Sequence, residues 1–84
     1  MKNQGNSMQS QNPLSQAQQS LDHLHNAVAM AQSKPNDQMI QQAQNSLEKA
    51  SRSVDQAQSA GNPNASQLVQ SELQEEQENL QSLQ

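Results

Sequence analysis

Two histidines and four clustered glutamates are the residues of this chain with the most chemistry available to them. His23 and His25 are its only imidazoles, and an imidazole can ligate a metal, move a proton or change charge near neutral pH. At spacing i,i+2 they leave a helix on different sides. A metal shared within one chain would therefore need ligands from elsewhere, and there is no cysteine to supply one. Both are read as solvated or boundary side chains, His25 next to the apolar stripe and His23 on its polar flank. Glu72, Glu75, Glu76 and Glu78 could face a divalent cation or a basic partner. Glu72 and Glu76 lie one turn apart, where like charges are mildly destabilising. Di-metal carboxylate bundles use Glu-x-x-His pairs on facing helices, and the chain contains no such pair. The cluster is therefore read as a solvated helix face. No Ser-His-Asp grouping, glycine-rich phosphate loop or paired buried carboxylate can be placed. The expectation is a non-enzymatic chain with no metal, cofactor or small-molecule substrate.

The elements that position these residues come from a pattern written twice. Residues 16–33 (QAQQSLDHLHNAVAMAQS) recur 26 positions later as 42–59 (QAQNSLEKASRSVDQAQS), with nine of eighteen positions identical. In both copies the apolar positions alternate at spacings of three and four, which gives a helix one apolar stripe. The spacing predicts a first helix over 13–33 carrying Leu14, Ala17, Leu21, Leu24, Val28 and Ala31. Asn12 can accept a hydrogen bond from a free first-turn amide, and Pro13 suits the first helical position. The break is Lys34-Pro35-Asn36-Asp37: Pro35 restrains Lys34 from the helical region, and Asn36 or Asp37 can cap the next helix. That second helix, 37–60, presents Ile40, Ala43, Leu47, Ala50, Val54 and Ala57, and Ala60-Gly61 ends it. After the turn Asn62-Pro63-Asn64, a third helix over 65–84 carries Leu68, Val69, Leu73, Leu80 and Leu83.

Connections of about four residues force successive helices to run antiparallel. The fold class is thus all-α: an antiparallel three-helix bundle built on a duplicated helical hairpin. It occupies 12–84 and follows a flexible tail, 1–11, that includes Met8. Each helix is about 30 Å long or somewhat more, and the seven-residue periodicity favours coiled-coil-like packing. Alanines 17, 31, 43, 50 and 57 leave space on the seam for close approach. Antiparallel pairing should bring Leu21 nearer Val54 and Val28 nearer Leu47. Met30 and Met39 flank the first turn and read as gap-fillers. Glu76 interrupts the third stripe where a heptad calls for an apolar residue. It is expected to point outward through a local register change, or else to meet Lys49 or Arg52. Leu68 and Val69 point in adjacent directions, so one is left for a partner if the other enters the bundle.

Composition narrows the function classes. Twelve residues are Leu, Ile or Val, nine are Ala, none is aromatic, and forty of the 84 are Gln, Ser or Asn. A core this thin in a chain this short predicts low stability, which dimerisation would remedy. Over 1–63 four acids balance four bases, so the net charge of −4 resides in the third helix. Four basic residues cannot build a positive track for a phosphate backbone, which disfavours nucleic acid as a partner. No apolar run reaches the length of a membrane span, and the amino-terminal residues have no signal-peptide core. A soluble, cytoplasmic protein is expected.

The strings Leu14-Ser15-Gln16-Ala17-Gln18, Asn45-Ser46-Leu47-Glu48-Lys49-Ala50 and Ser71-Glu72-Leu73-Gln74 carry one resemblance. Across most of 13–84 the chain resembles the small, cysteine-free, Gln/Ser/Asn-rich helical proteins of spore-forming Bacillus-type bacteria. The resemblance implies a cytoplasmic or spore-interior location and brings no activity with it. Small acid-soluble spore proteins that coat DNA are a nearby comparison, but the glycine-rich recognition segments and basic content expected of them are missing here. The reading is a helical interaction or structural protein that binds a protein partner or a second copy of itself. The expected partner surface is Leu68, Leu73, Glu76, Leu80 and Leu83 on a separable third helix. The competing reading is a spore-associated or nucleic-acid-associated protective protein.

Overall fold

A computed structural model describes residues 12–59 and 63–83. It is an all-α three-helix bundle of α1 (Pro13–Ser33), α2 (Asp37–Ser59) and α3 (Pro63–Gln81), each in contact with the other two. The amino-terminal tail and the expected stop at Ala60-Gly61 lie outside the described residues.

Local chemistry sets the helix ends. Asn12 is extended (φ −61°, ψ 133°), and its side chain accepts a hydrogen bond from the Leu14 N–H at 2.8 Å, with Pro13 opening the helix. At the other end Lys34 leaves the helical region (φ −133°, ψ 81°), as a residue before proline should, and its N–H donates to the Met30 carbonyl at 2.9 Å. Asn36, not Asp37, caps α2: its Oδ1 accepts from the Met39 N–H at 2.9 Å, and Asp37 takes up the first turn. α3 begins at Pro63, two residues before the expected start, because the fixed φ of proline is already helical and its missing N–H has no bond to lose at that position. α3 stops short of the expected end, where the chain tightens and the Leu83 N–H donates to the Leu80 carbonyl, three residues back, at 3.0 Å.

The core is small and rich in alanine. α1 buries Ala17, Leu21, Leu24, Val28 and Ala31; α2 buries Ala43, Ala50, Val54 and Ala57; α3 buries Val69 and Leu80, with Ser66 beside them. Leu14, Ala27, Met39, Ile40, Leu47, Leu73 and Leu83 pack around this centre and remain partly exposed. Alanines 17, 31, 43 and 50 are wholly buried. With only a methyl group to fill each of those layers, α1 and α2 must approach closely to leave no void. A 3.0 Å contact between the hydroxyls of Ser20 and Ser53 joins them. Because these serines adjoin Leu21 and Val54 on helices of opposite direction, the contact brings those two within one helical turn of each other, about 3 Å apart in height.

α1 and α3 run parallel. Gln18, Leu21 and Asp22 share a hollow with Leu68 and Glu72, and Leu21, Asp22 and His25 share the next with Glu72, Glu75 and Glu76. Residue numbers rise together along that seam, giving an up-down-up path.

The close α1–α2 approach makes a direct prediction. Replacing the wholly buried Ala50 by leucine should lower stability by about 1–3 kcal/mol through overpacking. Replacing the exposed Leu68 by glutamine should change it by less than about 0.5 kcal/mol. Urea denaturation followed by circular dichroism measures both.

Candidate functional site

The apolar stripe of α3 runs Val69, Leu73, position 76, Leu80, Leu83, and the residue at its centre is a glutamate. α3 is continuous helix on both sides of Glu76, so no register change turns that position away from the bundle. Glu76 stays in the seam, its side chain only 12 % exposed, and Oε2 lies 2.6 Å from Nδ1 of His25 on α1. This overturns both expectations for Glu76, which neither points outward nor meets Lys49 or Arg52. The two bases of α2 are placed elsewhere. Arg52 lies 3.3 Å from Glu48, one turn back on its own helix, and Lys49 borders the α1–α2 groove with His23. The parallel run of α1 beside α3 explains the pairing, since His25 and Glu76 fall on the same level.

The arrangement is asymmetric. The His25 ring is 68 % exposed at the rim of the seam, and the glutamate side chain reaches from inside toward it. One carboxylate oxygen receives that contact, while Oε1 is buried with no hydrogen-bond partner among the described residues. A buried polar atom left unsatisfied costs about 1–3 kcal/mol. Around the pair stand Asp22, Glu72 and Glu75. The hydrogen bond to Glu76 and the charge of that carboxylate hold His25 above its ordinary pKa of 6.5, with smaller contributions from Asp22 and Glu75 and a partial offset from desolvation. A group with a raised folded-state pKa contributes stability that is complete below its unfolded value. That stability is lost as pH rises through the raised value. The contribution of His25 is therefore complete below about pH 6.5 and fades as pH rises through the raised value.

The two histidines serve different seams. His23, with Gln19 and Ser20, faces Ser46 and Lys49 between α1 and α2, whereas His25 faces α3. Among the described residues no group of three or more His, Cys, Asp or Glu side chains is arranged to hold a metal ion. Of the residues expected to form a partner surface, Leu80 is buried, Leu73 and Leu83 pack against the core, Glu76 is in the seam, and Leu68 is 62 % exposed. Val69 is the member of the Leu68–Val69 pair that enters the bundle. In the bundle the five do not form one open surface. Met39 packs on the core as a gap-filler, but Met30 stays exposed beside it. Together with Ala29, Ser33 and Lys34 they outline an open apolar hollow of about 310 Å³.

No family model, curated sequence or solved structure matches the chain. Among the described residues no helix is long and apolar enough to cross a membrane.

Glu76→Leu should raise the stability of the whole chain by about 1–3 kcal/mol, because it removes an unsatisfied oxygen and completes the stripe. A shift of the urea midpoint to higher concentration would show it; an unchanged or lower midpoint would mean that the carboxylate is not held in the seam.

Proposed function

We propose that this is a non-enzymatic helical interaction protein whose separable element is α3. The observation that carries the reading is the carboxylate of Glu76 lying in the α1–α3 seam with one oxygen unsatisfied. An interaction helix that must leave its own bundle is best held by a seam that is incomplete. α3 contributes only Val69 and Leu80 to the buried apolar core, against five residues from α1 and four from α2. On release it would offer Leu73, Leu80 and Leu83, with Leu68 alongside, as an amphipathic helix offers its apolar face to a groove. The receiving groove belongs to a protein partner or to a second copy of the chain. A cytoplasmic or spore-interior setting accompanies this proposal through the resemblance of its sequence.

Nothing in the structure favours the nucleic-acid reading. Lys34 sits at the turn after α1, about 18 Å along α2 from Lys49, and Arg52 is paired with Glu48. The bases of the described residues do not gather into one track.

The double substitution Leu73→Ser and Leu80→Ser in the full chain tests the interaction reading. Association, read by sedimentation and by capture of binding proteins from the native cell, should be abolished while 13–59 keeps its helicity. Unchanged sedimentation and unchanged capture would contradict the assignment of α3 as the binding element.

A further inference from the structure

We propose that His25 and Glu76 form a proton-controlled latch: protonated His25 holds α3 on the hairpin, and loss of that proton loosens α3 while the hairpin stays folded. The proposal rests on α3 being the separable element and adds what controls its release. The latch spans two helices at 2.6 Å, with the carboxylate sunk in the seam and the imidazole at the rim, open to solvent protons. Among the described residues every charged group lining the hollow with His25 is acidic: Asp22 on its own helix, and Glu72, Glu75 and Glu76 on α3. Lys49 of α2 is on the opposite seam, beside His23. A proton on His25 therefore places the one positive charge among four carboxylates, next to the one that is least solvated. A neutral ring can still donate its Nδ1 hydrogen, but Asp22 of α1 then faces Glu72, Glu75 and Glu76 of α3 with no positive charge between them, which repels α3 from α1. The raised pKa of His25 is in keeping with this geometry.

Between about pH 5.5 and 8.5 histidine is the side chain whose ordinary titration changes its charge, which makes His23 an internal control. The test is amide hydrogen exchange of the full chain across that range, corrected for the intrinsic effect of pH on exchange. Protection over 69–80 should fall roughly two- to fivefold with rising pH, the scale of an exposed ion pair, while protection over 43–57 holds. His23→Gln should behave as the unmodified chain. His25→Gln should remove the pH dependence, and Glu76→Leu should remove it while raising protection. Constant protection over 69–80 with independent opening of α3, or a dependence that survives in His25→Gln or Glu76→Leu, would overturn the latch and leave the interaction reading standing. Opening of 69–80 and 43–57 together at every pH would overturn both.

Discussion

The bundle is governed by how little apolar material it has. A seam of alanine and valine gains from burial only if the backbones come close, because a methyl group cannot fill the gap that a leucine would. α1 and α2 meet that constraint with buried alanines on both sides and two serine hydroxyls in contact between them. The hairpin is therefore the part of the molecule whose sequence agrees with itself at every level: caps, periodicity, small residues and antiparallel height. Agreement of that kind is what directs a chain to one structure.

α3 is held on different terms. It lacks the alanine repeat, and the middle of its inward stripe is occupied by a carboxylate. Burying an ionised group is tolerated when a partner offsets the desolvation, and breaking such a pair leaves an unbalanced charge behind. His25 meets that requirement from the rim, where solvent can alter its charge. The same residue that weakens the apolar seam thus makes the attachment of α3 responsive to conditions. An uncharged residue at 76 would give a firmer bundle with nothing to regulate.

Much of the fold was legible in the residues. The three-four spacing of Leu14 through Ala31 and of Ile40 through Ala57 located both hairpin helices, Asn12-Pro13 located a start, and Pro35 located the break. Those are local signals, each readable within one turn of chain. Asn62-Pro63-Asn64 reads locally as a turn, yet the fixed φ of Pro63 opens α3 two residues before the expected start. The third stripe shows Glu76 as its flaw, but the sequence suggests an outward turn or a base of α2 for it, and the structure gives it His25. The missing step was topological. In an up-down-up bundle α3 runs parallel to α1, so a residue beside the α1 stripe can stand level with position 76, and His25 does. An exposed histidine carries no mark in the sequence that it is a partner; only the register of two helices, which brings together residues 51 positions apart, supplies it.

The central claim is that His25 grips a carboxylate held inside the seam between α1 and α3. Proton NMR of the full chain near pH 6 tests it most directly. The account predicts a nuclear Overhauser contact between the His25 ring and the side-chain methylenes of Glu76, together with a His25 imidazole that titrates above the ordinary histidine value of 6.5. A Glu76 side chain without contacts to α1, and a His25 ring that titrates at the ordinary value, would contradict it.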